Sequence, residues 1–104
     1  TPQRLVHLDL RWNKLHHLWN QTKLLPSLRT LDLSESKWLI RTPDFTGMPN
    51  LEYLYMRRCT NLKEVHRSLK CCGKLIQLDL TYCKSLVRFP YVNVESLQYL
   101  NIED

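Results

Sequence analysis

The sequence predicts an α/β solenoid, a stack of similar coils that each give one short strand to a parallel sheet. Three observations predict it. A block of the form L-x-x-L-x-L begins at Leu5, Leu28, Leu51, Leu75 and Leu97, at intervals of 23, 23, 24 and 22 residues. Of the fifteen residues at its first, fourth and sixth places thirteen are Leu, and the others are Met56 and Ile102. The ninth place holds Asn13, Ser36, Cys59 and Cys83, and after each cysteine the next apolar residue stands three further on, at Leu62 or Leu86.

Steps of three and then two fit neither a helix nor a simple alternating strand, but they do fit the leucine-rich repeat signature L-x-x-L-x-L-x-x-N/C-x-L. Each coil then supplies one strand in which alternate residues, such as Leu54 and Met56, point inward and their neighbours face the concave side. Successive strands pair in parallel, and no coil buries its apolar residues alone. At the ninth place the chain turns away from the strand inside the core. An Asn there satisfies buried backbone groups, and a Cys is a small residue with a weak donor, so Cys59 and Cys83 are expected as stacked core thiols. A further apolar residue three places on, Val65 or Phe89, keeps the convex return path in short turns. Residues 66–73, "HRSLKCCG", suit one or two helical turns with Leu69 and Cys72 facing in and Gly73 as the C-terminal cap. "TPDFTGMPN" at 42–50 is too rich in Pro and Gly for a helix. Pro26, Pro43, Pro49 and Pro90 all fall on the return path, where they interrupt no ladder.

The chain of 104 residues is the size of one small domain or part of a larger one. Its net charge of +5 is dispersed, and Arg57 and Arg58 are its only adjacent arginines. A nucleic-acid footprint needs a clustered patch, so nucleic acid is not an expected partner. No apolar run reaches the roughly 18 residues of a membrane span, and the opening "TPQRLVHLDL" lacks the apolar region of a signal peptide. Neither end carries the polar cap of a terminal repeat. The expectation is therefore an uncapped internal segment, residues 1–104, of a longer protein, prone to aggregate when expressed alone.

The convex sequences carry a resemblance. "RTPDFTGMPNLEYL", "CTNLKEVHRSLKCCGKLIQLDLTYCKSLVRFP" and "VNVESLQYLNI" together resemble the leucine-rich region of plant disease-resistance receptors, of the class with an N-terminal TIR domain and a nucleotide-binding domain. The match runs from about Leu5 to Ile102. Trp12 and Trp38 depart from it, standing where smaller or polar residues are usual. The resemblance implies an intracellular immune receptor, cytoplasmic or nuclear, in which the repeats sense a pathogen effector and hold the receptor at rest. It also implies ADP/ATP exchange and NAD cleavage by other domains. No cofactor is expected in this segment, which has no phosphate-binding Gly-rich loop and only Gly47 and Gly73. The G-x-I-P element of extracellular plant repeats is missing, so the Asn20–Thr22 sequon "NQT" carries no weight.

The outward columns of the sheet are where solenoids meet partners. They are His7, Thr30, Tyr53, Gln77 and Tyr99, and then Asp9, Asp32, Tyr55, Asp79 and Asn101. Beyond the sixth place come Arg11, Ser34, Arg57, Thr81 and Glu103, alongside Trp12, Glu35, Arg58, Tyr82 and Asp104. Tyr, Trp and Arg are the types enriched at interface hot spots. The candidate partner-binding set is therefore His7, Asp9, Arg11, Trp12, Asp32, Glu35, Tyr53, Tyr55, Arg57, Arg58, Gln77, Asp79, Tyr82 and Tyr99. Its partner is a protein, either a pathogen effector or the receptor's own nucleotide-binding domain. Taken singly, each Asp is equally a solvated residue between two leucines. Asp9 and Asp32 would repel on neighbouring strands, and Arg11 beside them relieves this.

Two other classes compete. Catalysis would need a base, from among His7, His16, His17 and His66, beside a nucleophile such as Cys71 or Cys72. His16 and His17 lie on the turn after the first strand and His66 starts a convex segment, and no base–nucleophile–orienter geometry follows from those places. The spacing C-x11-C-C-x10-C lacks the close pairs of a structural zinc site, and an intracellular location disfavours disulfides. A purely structural scaffold is not separable from a binding module in one sequence. Outward residues that vary among close relatives on a constant leucine frame would indicate recognition.

Overall fold

The computed structural model describes residues 4–19, 21–88 and 97–102. Asn20, Phe89, Pro90, Glu103 and Asp104, singled out above, lie outside the described residues. Five three-residue strands form one sheet: β1 His7–Asp9, β2 Thr30–Asp32, β3 Tyr53–Tyr55, β4 Gln77–Asp79 and β5 Tyr99–Asn101. They lie side by side in chain order, all parallel. Register follows the repeat place by place, so Leu8, Leu31, Leu54, Leu78 and Leu100 form one rung across the sheet.

The core runs through the middle of the stack. Leu31, Leu33, Leu54, Met56 and Leu78 are fully buried, as are Leu28, Leu51 and the convex Leu39, Phe45, Met48, Leu62 and Leu69. Leu8 of β1 is half-buried and Leu100 of β5 is exposed. Beyond the strands, the sixth-place amides continue the ladder: Leu10, Leu33, Met56 and Leu80 donate to the carbonyls of Asp32, Tyr55, Asp79 and Asn101.

The ninth place forms an internal seam. Asn13 Nδ2 donates to the Leu10 carbonyl and to Ser36 Oγ, each at 2.7 Å. Cys59 Sγ donates to the Leu33 carbonyl at 3.2 Å and Cys83 Sγ to the Met56 carbonyl at 2.9 Å. The thiols therefore bond a carbonyl of the preceding coil, which a plain hydrophobe would leave unpaired. The hydrogen bond with the adjacent Cys83 thiol, and then burial, push the Cys59 thiol well above the ordinary range.

The convex side carries a 3-10 helix, Arg67–Cys71. Leu69 and Cys72 face in as expected. Gly73, the expected cap, does not take the left-handed conformation of a glycine cap; Cys72 closes the helix at φ −86°, and its amide returns to the Leu69 carbonyl. No glycine here has positive φ, because a 3-10 turn ending on a buried side chain needs no left-handed residue. The 42–50 stretch turns tightly, and Gly47 is required there. A Cβ at Gly47 would lie 1.9 Å from the Lys23 carbonyl oxygen of the preceding coil.

Candidate partner-binding face

The fifth place decides the shape of the concave edge. Asp9 accepts from the Arg11 amide, Asp32 from the Ser34 amide and Asp79 from the Thr81 amide, each at 3.0 Å and two residues on. This is an Asx turn, in which a carboxylate replaces the carbonyl of a backbone turn. These aspartates close turns, and Asp9 is exposed to solvent while doing so. Asp79 is buried and also accepts from the Thr81 hydroxyl, so it shapes the face from beneath and is not presented to a partner. Tyr55 takes the same place without a carboxylate. Its coil is served from next door, where Ser34 Oγ accepts from the Arg57 amide at 3.1 Å. Ser34 and Thr81 are consequently buried, although the column reading sets them facing outward.

Arginines then cover the carboxylates. Arg11 grips Asp9 through Nε and Nη2 at 3.0 and 2.8 Å, and its Nε stands 4.0 Å from Asp32 Oδ2. The expected relief of repulsion between Asp9 and Asp32 is present. The Arg11 side chain, helped by its amide, holds the Asp9 carboxyl down to about 2, and the same pairing raises Arg11. Arg57 Nε lies 3.8 Å from Asp79 Oδ2. Both arginine side chains remain about half exposed. They contribute little to stability and stay available to a second contact.

Tyr53 and Tyr55 share the concave face of β3 and stack nearly parallel, their ring centroids 6.4 Å apart. The Tyr55 hydroxyl reaches Gln77 Oε1 at 3.4 Å, and burial raises the phenol above its ordinary value. His7 and Tyr99 are exposed at the ends of the sheet, with Gln77 half-buried between them.

Sequence reasoning missed the conformation of the eighth place. Trp12, Glu35, Arg58 and Tyr82 all have left-handed backbone, at φ 64°, 65°, 60° and 61°. No glycine signals it, and the only available sign was the constant offset from the Asx turn. Three of the left-handed amides donate to the next coil: Trp12 to the Ser34 carbonyl, Glu35 to Arg57 and Arg58 to Thr81. The side chains form a row along the rim. Lys37 Nζ sits 5.6 Å from the Trp12 ring centre, and the Arg58 guanidinium 5.3 Å from that of Tyr82. Trp12 is 64% exposed. Between them a cavity of about 400 Å³ is walled by Arg11, Trp12, Asp32, Ser34, Glu35, Arg57 and Arg58. Glu35 Oε2 is buried there without a partner. The face thus brings aromatic rings, guanidinium groups and an unmet carboxylate oxygen into one groove.

Among the described residues no three His, Cys, Asp or Glu side chains are placed to hold a metal ion. No helix of the described residues is long and apolar enough to cross a membrane.

No protein-family model matches the chain. Over 98 residues it is 67% identical to TMV resistance protein N of Nicotiana glutinosa, an alignment covering 94% of this chain and 9% of that protein. The chain is a leucine-rich repeat segment similar to part of a plant disease-resistance protein. Disease-resistance proteins of Arabidopsis thaliana match it at lower identity. Disease resistance protein RPP4 is 41% identical over 94% of the chain, and RPP2A is 33% identical over 98%. The chain spans about a tenth of the length of these relatives, at 9%, 9% and 8%.

Proposed function

We propose that this segment is the protein-recognition and autoregulatory surface of an intracellular plant immune receptor. In this reading the concave rim contacts a pathogen effector or the receptor's own nucleotide-binding domain. The receptor exchanges ADP and ATP in that other domain and acts in the cytoplasm or nucleus. The segment itself performs no catalysis.

One observation carries the reading. Four coils in succession hold side chains in left-handed backbone, where a non-glycine residue costs roughly 1–2 kcal/mol. Glycine would relieve that strain at each coil. Strain kept repeatedly along one rim, on a Trp, an Arg and a Tyr, supports selection for what those side chains touch. The kinship with disease-resistance proteins supports the setting.

The test is alanine substitution of Tyr53, Tyr55, Arg57 and Arg58 in the full receptor. Loss of effector-triggered cell death, or activity without an effector, is the expected result. Unchanged recognition together with an unchanged resting state overturns the reading and leaves a scaffold.

A further inference from the structure

Next to the concave groove the rim holds a second cavity, of about 400 Å³, walled by Lys37, Arg58, Thr60, Tyr82 and Lys84. Apart from the Tyr82 phenol, its ionisable walls are all cations. The two cavities share Arg58 and differ in how their charge is met. In the first, Arg11 pairs with Asp9 and Arg57 with Asp79. The ion pairs of the described residues include none of Lys37, Arg58 and Lys84. Lys37 and Arg58 lie instead over the rings of Trp12 and Tyr82, at 5.6 and 5.3 Å. A ring face attracts a cation but leaves its full charge in place. All three cations and Tyr82 are exposed. Three like charges around one cavity, with no carboxylate in its walls, make a surface complementary to acidic groups.

The stack sets the spacing of these charges. Lys37 and Lys84 directly follow the ninth-place residues Ser36 and Cys83, two coils apart, with Thr60 at the same place of the coil between. Neighbouring coils are hydrogen-bonded on both sides of this place. The Glu35 and Arg58 amides donate to the Arg57 and Thr81 carbonyls, and the Lys63 and Val87 amides to Ile40 and Lys63. A coil spacing of roughly 4.8 Å then sets the backbones of the two lysines about 10 Å apart. A strand would put residues i and i+3 on opposite faces. A polyproline II segment has three residues per turn and rises about 3.1 Å per residue, so its carboxylates at i and i+3 point the same way, about 9 Å apart. Such segments dock in grooves lined by aromatic rings, and Tyr82 supplies one here. We propose, on the reading of this rim as a protein-binding surface, that the cavity receives an acidic segment of a partner protein in polyproline II conformation, with carboxylates three residues apart held by Lys37 and Lys84.

Fluorescence anisotropy of labelled peptides, titrated with the whole chain, tests this. A peptide repeating Glu-Pro-Pro should bind, with an affinity that falls steeply as salt is added, and its Gln-Pro-Pro counterpart should bind about tenfold more weakly or worse. The Lys37→Gln/Lys84→Gln double variant changes only exposed side chains and should lose about tenfold in affinity. Lys37→Arg/Lys84→Arg should keep the wild-type affinity, and the amide spectra of both variants should keep the wild-type fold. Wild-type affinity in the folded Gln variant overturns the site, as does equal binding of the Gln-Pro-Pro peptide. Tighter binding of oligouridylate than of the acidic peptide, lost in the same variant, overturns the protein partner. In the full receptor the Gln variant should disturb recognition or the resting state. If it disturbs neither, while alanine at Tyr53, Tyr55, Arg57 and Arg58 does, the acidic partner falls and the recognition surface stands.

Discussion

At the scale of single residues, this chain is held by short polar contacts whose loss is individually measurable. Gly47 has the least freedom. Gly47→Ala drives a methyl group into the Lys23 carbonyl, and overpacking against rigid backbone costs about 1–3 kcal/mol or more. A lowered urea midpoint with unchanged slope is the expected outcome. Arg58→Gly separates stability from binding. At φ 60° glycine relieves strain, so stability should hold or rise by about 1 kcal/mol while affinity for a concave partner falls. Equal loss of both would place Arg58 in the frame and not in the interface. Asp44 gives a pH signature. The Thr46 hydroxyl, then the Thr46 amide, hold its carboxyl well below the ordinary value of 3.8. A depressed folded-state value stabilises above the unfolded pKa and loses that stabilisation as pH falls through the folded one. Asp44→Ala should therefore destabilise the chain at neutral pH, with the gap to wild type closing below about pH 4; denaturant midpoints across pH measure it.

At the scale of elements, contacts between coils matter more than those within them. Ser68, on the 3-10 helix, accepts from the Phe45 amide of the preceding coil at 2.7 Å in a buried place. Ser68→Ala leaves that N–H unpaired, at a cost of about 1–3 kcal/mol, and calorimetry should record the drop. The cysteines divide by element as well. Cys71 is exposed on the helix, whereas Cys59, Cys72 and Cys83 are buried, and burial pushes the Cys72 thiol up to about 12. Iodoacetamide should alkylate Cys71 first, the rest following only on unfolding.

The periodic places in these elements were legible in advance. Leu54, Met56, Cys59, Leu69 and Cys72 are buried where the repeat placed them, and the strands pair in the expected register. A leucine every few residues records burial directly, because burial is what it contributes. The Gly73 cap was not legible, since a glycine after a short helical run signals a left-handed cap only when the helix ends without a buried anchor. The role of Asp79 was hidden too: an aspartate between leucines has the same spelling whether it is solvated or closes a turn.

At the scale of the whole molecule, a solenoid is a one-dimensional stack whose stability is greatest where a coil has neighbours on both sides. Amides at Leu33 and Met56, inside the ladder, should exchange more slowly than those at Leu10 and Leu80 nearer its ends; hydrogen exchange followed by NMR reads this directly. The concave groove and a cavity on the return path also belong to this scale, since the residues of each come from three coils.

The sequence by itself determined the repeat, the parallel sheet, the identity of the core and the resemblance to disease-resistance proteins, because periodic burial and a shared frame are written residue by residue. Only the tertiary structure decided which outward residues are available. It sank Asp79, Ser34 and Thr81 beneath the rim, set Trp12, Glu35, Arg58 and Tyr82 in left-handed backbone, and closed His17, Trp19, Arg41 and His66 around one cavity. Those outcomes depend on hydrogen bonds between residues some two dozen positions apart, which no local pattern specifies.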